Sequence, residues 1–377
     1  MTAMSREISF DINDPRLWDL EWLVTNGLGG YASGTLAGAL TRRYHGLLIA
    51  AYPAPLGRTM VLNRVSESVN CGDGSHLRLG PDDIESRTPD QLRVPYLAGF
   101  RLEYGLPVWR YQIRDTIIEK RVILEHQLNT THLSYRLISG APLLQLRLRP
   151  EFNFRSHDAP ADATPEEPYR ISAEAGGYLI SCGKGAEQLR LAIAGGIFTL
   201  EEQQSARLYY PMEQARGYDC QGWLWSPGYF DLELTQGVDA VLTATSESWE
   251  SLAEFPPSAA LGRECERRRL LLDAAEAGAR SGFPAELVLA ADQFLITPPG
   301  KRQVTAGKSV AGEQTCSVIA GYHWFTDWGR DTMISLEGLT LVTGRPDEAR
   351  RILHSFAGYL KAGLIPKPVD KGVAKIL

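Results

Sequence analysis

The strongest constraint on the fold is a change in the spacing of apolar residues along the chain. From about residue 101 to residue 242, apolar and polar side chains mostly alternate, which is typical of strands with one buried face. Gly, Pro, Asn and Asp residues separate the alternating segments at roughly the spacing of an antiparallel sandwich. The clearest of these segments are 108–114, 132–137, 144–149, 178–180, 189–193 and 230–234. We therefore predict an antiparallel β-sandwich for residues 1–255.

After Phe255-Pro256-Pro257 the apolar spacing becomes that of helices. The predicted helices are 258–279, 284–296, 332–343 and a further one that opens at Pro346. The first contains Arg267-Arg268-Arg269, which we interpret as a solvent-exposed face. A chain of 377 residues suggests about two domains. We predict an α+β multidomain protein, with residues 1–255 in the sandwich and residues 256–377 in a helical domain.

The composition argues against several classes of protein. Apolar residues make up 44% and charged residues 22% of the chain, as in soluble globular proteins. A net charge of -6 argues against binding to nucleic acid or to a membrane surface, since both need a basic face. The five cysteines are scattered without a metal-binding spacing, and no apolar leader is visible. We expect free thiols, no metal and a cytoplasmic location.

The segment 321–331 combines four aromatic residues, two carboxylates and an arginine in a short loop. Sugar-binding sites use this mixture, because indole and phenol rings lie against the apolar face of a sugar while charged groups bond to its hydroxyls. A helical pattern follows directly, so Asp331 is expected at the end of the loop, where a helix cap lies. The residues alone leave an alternative open, a capped helix preceded by a buried aromatic loop.

Two blocks of the sequence resemble one known family. Residues 321–366, which begin Gly321-Tyr322-His323-Trp324 and reach Pro366, resemble the opening of the catalytic domain of prokaryotic-type glycogen debranching enzymes, the amylo-α-1,6-glucosidases. Residues 21–48 resemble the signature of the same family's amino-terminal domain. The two blocks stand about 275 residues apart, in the family's order.

The resemblance implies a particular helical domain. In the family it is an (α/α)6 barrel, a ring of six helix pairs that needs on the order of 300 residues. Only about 120 residues follow Pro257, and the family pattern stops after Pro366. We therefore expect a truncated chain that holds the first helices of an incomplete barrel, with apolar helix faces left open.

The resemblance also implies the chemistry, which is inverting hydrolysis of α-1,6-linked glucose without a cofactor. Inverting glycosidases place two carboxyl groups roughly 6.5–9.5 Å apart. By the resemblance both would follow Pro366, so we expect no catalytic residue here and an inactive chain. Arg330-Asp331 matches a pair that grips sugar hydroxyls in related helical-barrel glucosidases. The substrate-binding residues implied in this way are Trp324, Asp327, Trp328, Arg330 and Asp331.

The amino-terminal block contains a glycine-rich run and a polar cluster. The run from Asn26 to Gly30 lacks the spacing of a phosphate-binding loop, so its glycines are expected to allow a tight turn or a close approach at the domain interface. The cluster Arg42-Arg43-Tyr44-His45 precedes an apolar strand, and two interpretations stay open. Its side chains bond to a neighbouring loop, or the loop reaches the barrel mouth and recognises glucan. No second metal ligand lies at a useful spacing from His45.

These observations leave three hypotheses. The chain is the amino-terminal portion of an α-1,6-glucosidase, a non-catalytic glucan-binding or interaction protein, or a gene product without a stable function. The first two predict glycogen, limit dextrin or an α-glucan oligosaccharide as the partner, and neither nucleic acid nor a membrane.

Overall fold

Most of the strands that the computed structural model describes belong to three antiparallel sheets. The structure describes residues 4–11, 14–70, 76–81, 94–165, 167–183, 187–204, 208–300, 302–305, 308–360 and 364. The largest sheet has nine strands. In spatial order they are Ser5–Ile8, Leu97–Glu103, Leu106–Ile113, Thr116–Leu124, Thr130–Ser139, Ala240–Thr245, Gln188–Ile193, Gly177–Cys182 and Tyr169–Glu174.

The other two large sheets have five strands each. One contains Ile197–Gln204, Trp225–Thr235, Leu143–Glu151, Arg64–Asn70 and His76–Arg78. The other contains Arg155–Ser156, Arg58–Leu62, Gly46–Ala51, Tyr31–Thr35 and Glu21–Thr25. Three further pairs of short strands are Leu208–Tyr209 with Gln221–Gly222, Leu295–Ile296 with Ser317–Val318, and Arg302–Thr305 with Lys308–Gln314.

The alternating residues bury one face of the strands, as the sequence predicts. Along Leu143–Glu151, buried positions alternate with more exposed ones, and Arg64–Asn70 has the same pattern. Residues from all three sheets contribute to one large hydrophobic cluster, which includes Leu146, Leu133 and Val61. All six alternating segments lie in strands to within one residue. The mostly antiparallel architecture is therefore confirmed and is consistent with a β-sandwich.

Helices dominate the chain after Thr245. Residues 4–245 are called the β-rich part below, and residues 249–360 the helical part. The helices are α1 Pro211–Ala215, α2 Trp249–Glu254, α3 Pro257–Ala274, α4 Gly282–Phe294, α5 Gly329–Leu336 and α6 Pro346–Ala357, and a π-helical turn, Glu337–Leu341, follows α5. Short 3-10 helices occupy Pro15–Trp18 and Ala277–Ala279. The division at residue 255 and the six-pair barrel stay predictions.

Buried charges join the helical part to the β-rich part. The carboxylate of Glu264 in α3 accepts a hydrogen bond from the backbone N–H of His126 (3.0 Å). Arg268 donates to the carbonyl oxygen of Tyr104 (2.9 Å) and lies 3.4 Å from the Glu264 carboxylate. The prediction that the arginine triplet is solvent-exposed is therefore wrong for Arg268, which is only 3% exposed. Charge alone suggested a wet face, whereas a buried partner and a carbonyl acceptor offset the cost of burying this arginine.

The cysteines agree with the expectation of free thiols. Cys182, Cys220, Cys265 and Cys316 are all free, and Cys71 lies outside the described residues. Within the described ranges, every helix is too short or too polar to cross a lipid bilayer.

Candidate functional site

Backbone and side-chain hydrogen bonds attach the segment 321–331 to the β-rich part. Arg58, on the strand Arg58–Leu62, donates to the backbone carbonyl oxygens of His323 (2.7 Å) and Phe325. The Nε2 atom of His323 lies 2.9 Å from the hydroxyl of Ser33, on the strand Tyr31–Thr35 of the same sheet. Because Arg58 is buried, these charge-assisted bonds are sheltered from water and hold the segment in place.

This attachment brings the two sequence blocks into contact. The ring of Tyr44 stacks on that of His323, with centroids 6.3 Å apart and an angle of 19°. Tyr44 also contacts Trp324 at 5.9 Å, and Tyr31 packs edge-on against Tyr322 at 5.4 Å. Residues far apart in sequence thus form one aromatic wall.

Arginines surround Trp324. The guanidinium carbon of Arg216 lies 4.7 Å from the centroid of the Trp324 ring, and that of Arg42 lies 5.9 Å from it. Such contacts are cation–π interactions, which hold an indole ring in a fixed orientation. Arg43 lies over Tyr44 at 4.9 Å and beside the buried Glu213 at 3.7 Å. The wall therefore combines flat rings with hydrogen-bond donors.

The cluster around His45 is bonded to a neighbouring strand and also contacts Trp324. Arg42 donates to the carboxylate of Glu21 (2.6 Å), and His45 Nε2 lies 3.3 Å from the same oxygen. At the same time Arg42 and Tyr44 reach Trp324. The loop is thus bonded to a neighbouring strand and lies at the candidate site, and its recognition of glucan stays a prediction.

Three potential metal ligands, Glu21, His45 and His323, place one ligand atom each within 4.8 Å of one another. Sequence spacing did not reveal this group. However, the Nδ1 atom of His45 accepts the backbone N–H of Thr41 (3.2 Å), so a neutral ring carries its proton on Nε2. Metal-bound imidazoles show the reverse pattern, since the nitrogen that is not bound to the metal donates. The donor set therefore does not suit a metal ion.

The environment fixes the charges of this group. Burial opposes ionisation of Glu21, but the nearby His45 ring and the hydrogen bond from Arg42 outweigh it and hold the pKa of Glu21 at about 2, below its ordinary 4.5. Burial lowers the pKa of His323 to about 3, and burial also lowers the pKa of His45. At neutral pH the group is one carboxylate beside two neutral imidazoles, with Arg42 as its counter-charge.

The predicted sugar-binding residues have different surroundings. Asp327 is buried, and its carboxylate accepts a hydrogen bond from the Ser317 hydroxyl (3.0 Å). Trp328, at the N-cap of α5, is half-buried and packs edge-on against Phe325. Asp327 is thus tied into the structure of the loop.

Arg330 and Asp331 lie in the first turn of α5, because the helix begins at Gly329, three residues earlier than predicted. Arg330 is exposed. The Oδ2 atom of Asp331 is buried without a hydrogen-bond partner among the described residues. A carboxylate oxygen cut off from water without a donor costs roughly 1–3 kcal/mol, so donors from a ligand would stabilise it.

Asn26 serves the interface between the two parts of the protein. Its side chain is fully buried, donates to Leu128 and Asn129, and accepts the backbone N–H of Leu28 (3.0 Å). Next to it, the carbonyl oxygen of Gly27 accepts the backbone N–H of Thr297 in the helical part (2.8 Å). This geometry fits the predicted tight turn and close approach at the interface.

Several residues of the site escaped the sequence analysis. Glu21 and His323 stand inside the two recognised blocks, and pairing polar residues between the blocks could have suggested them. Arg58, Arg216 and Tyr218 carry no local signal, because they reach the site only through the packing of distant strands and turns.

Comparisons with known proteins agree for both blocks. Residues 20–241 match the family described as glycogen debranching enzyme N terminal, and residues 289–376 match the family described as amylo-alpha-1,6-glucosidase. A glycogen debranching enzyme of Saccharomyces cerevisiae is 47% identical over 66 residues, which are 16% of this chain and 4% of that protein. The chain therefore matches only a small fraction of that relative.

One solved structure, a putative kojibiose phosphorylase from human microbiome, aligns with 77% of this chain and 36% of its own at 8% identity. Its TM-score is 0.32, which is too low to bear on the fold.

Proposed function

The chain belongs to the glycogen debranching enzyme family, and on this premise we propose that it binds the α-1,6-linked glucose of glycogen or a limit dextrin at the wall around Trp324. In this proposal the rings of Trp324 and Tyr44 form the walls of the sugar subsite. Arg330 and Asp331 bond to the sugar hydroxyls, and Arg42 and Arg216 hold Trp324 in place.

The observation that carries the proposal is the unpaired Oδ2 atom of Asp331 beside the exposed Arg330. A pair of adjacent hydroxyl groups both donates and accepts hydrogen bonds, so it can satisfy the carboxylate and the guanidinium together. A phosphate or carboxylate ligand would satisfy Arg330 but would repel Asp331. The pair therefore favours a neutral, hydroxyl-rich ligand over an anion.

Hydrolysis makes further demands on the site. An inverting mechanism needs an acid and a base on opposite sides of the scissile bond, roughly 6.5–9.5 Å apart. The described carboxylates of the 321–331 segment and the helix that follows it are Asp327, Asp331 and Glu337, all on one continuous stretch, and Asp327 is already bonded to Ser317. We propose that this chain binds the branch-point sugar without cleaving it.

Binding is tested with a branched limit dextrin in isothermal titration calorimetry. Arg330→Ala and Asp331→Asn should each weaken binding by roughly 10- to 100-fold, since a hydrogen bond to a charged group contributes about 1.5–3 kcal/mol. Arg110→Ala is the matched control, because Arg110 is an exposed arginine on the strand Leu106–Ile113, outside the site. Unchanged affinity in both folded site variants would refute the proposal.

Turnover is tested separately, as glucose release from the same dextrin by purified, monodisperse protein. We expect none above the buffer blank. Sustained release that disappears in Asp331→Asn would show that Asp331 is a catalytic acid, and the non-catalytic part of the proposal would then be wrong.

The second candidate is a dedicated glucan-binding or interaction protein in place of the amino-terminal portion of an α-1,6-glucosidase, and the buried, bonded state of Asp327, which withdraws one carboxylate from catalysis, favours it. Both candidates predict binding. They differ in what a longer relative with the same amino-terminal block does, because only a glucosidase releases glucose from the branch point. The cytoplasmic location stays a prediction, and cell fractionation tests it.

A further inference from the structure

A cavity lies in the β-rich part, at the beginning of the strand Trp225–Thr235. Its volume is about 330 Å³, within the range of roughly 300–1,000 Å³ that is usual for small-molecule sites. The residues that define its chemistry are Asn153, Tyr169, Glu202, Trp223 and Trp225. None of them belongs to the wall around Trp324.

Aromatic rings form one side of the cavity and are held rigidly. Tyr169 stacks on Trp225 with centroids 4.8 Å apart at an angle of 19°. The Tyr169 hydroxyl accepts the backbone N–H of Phe154 (2.8 Å), and Trp225 Nε1 donates to Glu202 (2.8 Å). Trp223, two residues before Trp225, is 39% exposed. A large aromatic side chain at the rim is thus open to solvent beside a fixed pair of rings.

Two oxygen acceptors accompany the rings. Asn153 is 5% exposed, and its Nδ2 atom donates to the carbonyl oxygen of Ala163 (2.7 Å). Its Oδ1 atom is buried and has no hydrogen-bond partner among the described residues. Glu202 is exposed and accepts from Trp225 through Oε1. Among the residues that line the cavity, Asn153 thus carries an unused acceptor and Glu202 a carboxylate, and both suit a donor-rich ligand.

The lining also excludes other ligands. None of the described residues that line the cavity is a lysine or an arginine, and Glu202 would repel an anion. A purely apolar ligand would leave Asn153 Oδ1 unpaired, which is unfavourable for a buried acceptor. A quaternary ammonium group is best enclosed by rings on several sides, whereas the stacked Tyr169 and Trp225 are nearly parallel.

We propose that this cavity is a second carbohydrate-binding site, which takes a glucosyl unit of an α-glucan chain. Trp223 lies against the apolar face of the sugar, and Asn153 and Glu202 accept hydrogen bonds from its hydroxyls. The carbohydrate class follows from the cavity itself, and the assignment to α-glucan rests on the function proposed above. Two sites on one chain raise the affinity for a polymer, because binding at the first keeps the second close to further sugar units.

The experiment is a calorimetric titration of the full chain with a branched limit dextrin, which carries both a branch-point glucose for the first site and linear glucan for the second. The wild-type protein should bind at two sites. Trp223→Ala should weaken one of them by roughly tenfold or more, so that the measured stoichiometry falls towards one, while Arg330→Ala affects only the other. Phe283→Ala is the control, because Phe283 is an aromatic residue that is 65% exposed in α4 and does not line the cavity.

The design separates this inference from the proposed function. If Trp223→Ala has a normal circular dichroism spectrum and still binds the glucan at two sites, the proposal of a carbohydrate site at Trp223 is wrong. Loss of a site in Trp223→Ala together with no effect of Arg330→Ala overturns the proposed function and leaves this site standing. Stronger binding of choline than of maltoheptaose at the Trp223 site overturns its carbohydrate class, and equal binding of cellohexaose overturns its assignment to α-glucan.

Glu202→Gln keeps the test decisive if the Trp223 variant does not fold. Glutamine retains an acceptor for Trp225 Nε1 but removes the charge, so the site should weaken several-fold without a change in melting temperature. Unchanged affinity at both sites in this variant would refute the role of the carboxylate.

Discussion

Replacing Asp292 with asparagine should loosen the junction between the helical part and the β-rich part. Asp292 lies in α4, is 8% exposed, and accepts hydrogen bonds from Arg267 (2.8 Å) and Arg345 (2.7 Å). Arg267 also pairs with Glu264, which accepts the backbone N–H of His126 in the β-rich part. Asparagine is nearly the same size, so the change removes the negative charge with little effect on packing.

The pKa of Asp292 indicates the size of the effect. Burial by itself would raise this pKa, but Arg267 and Arg345 outweigh burial and hold it at about 2, below the ordinary 3.8. A pKa difference of about 1.8 between the unfolded and the folded chain corresponds to roughly 2 kcal/mol of folding free energy at pH 7. The upper limit for the loss of folding free energy in Asp292→Asn is about 3–5 kcal/mol, which is the usual loss when one partner of a buried ion pair is removed.

The sign of the pH dependence follows from the lower pKa in the folded state. The stabilisation is fully present above the unfolded pKa of 3.8 and is lost as the pH falls towards 2. Urea denaturation of wild type and Asp292→Asn at pH 7 and pH 3, followed by circular dichroism, measures it. We expect the variant to be about 2–4 kcal/mol less stable at pH 7, with the electrostatic share of this gap about half as large at pH 3.

Asp347→Asn is the control, because Asp347 pairs with Arg350 in an exposed ion pair of α6. Such pairs contribute little, so this variant should change the stability by less than about 0.5 kcal/mol. Equal stability of Asp292→Asn and wild type at pH 7, or a gap of the same size at both pH values, would refute the reasoning.

Three further variants test how the site is held in place. In Gly27→Ala the new Cβ would lie 2.4 Å from the ring of His126, whereas in Gly57→Ala, where φ is also positive, no atom lies within 4 Å of the new Cβ. Thermal melting should therefore show a loss of stability in Gly27→Ala that exceeds the loss in Gly57→Ala by roughly 2 kcal/mol or more. Similar losses in the two variants would contradict the clash. Arg58→Met removes one buried and one partly buried hydrogen bond to the 321–331 segment, so it should lower the folding free energy by about 3 kcal/mol and speed proteolysis of the segment. Unchanged cleavage would count against this role of Arg58. Burial holds the pKa of His323 at about 3, below its ordinary 6.5, so the folded state should become about 2 kcal/mol less stable between pH 7 and pH 5, because only the unfolded chain takes up the proton there. His323→Phe should lack this loss, and identical pH profiles in urea denaturation would be inconsistent with a buried neutral imidazole.

Local patterns predicted much of the secondary structure, but not the short strands Leu295–Ile296, Arg302–Thr305, Lys308–Gln314 and Ser317–Val318, which lie in the part predicted as helical. Alternation along 132–137 and 144–149 predicted strands, and the structure places both in sheets. Side chains of a strand point to opposite faces in turn. A strand with one buried face therefore shows alternating apolar and polar residues in its sequence. The helix at Pro346 was predicted for a similar reason, since proline at a first helical position and the apolar spacing after it are local features.

Helix ends were less well predicted. The helical pattern placed the start of α5 at residue 332, whereas the structure starts it at Gly329 and thereby brings Asp331 into the first turn. No side-chain cap marks this start. The apolar stripe shows where a helix packs, and the turn before the stripe depends on the loop that enters it.

The candidate site shows what the sequence could not provide. The sequence determined that residues 321–331 are rich in rings and charges and that the chain resembles one family, which the comparisons confirm. Only the tertiary structure decided that Arg216 and Tyr44 lie against Trp324 and that Asp327 is buried. The physical reason is that periodicity reports which side of its own element a residue occupies, whereas the partner it meets there depends on how distant strands and loops pack together.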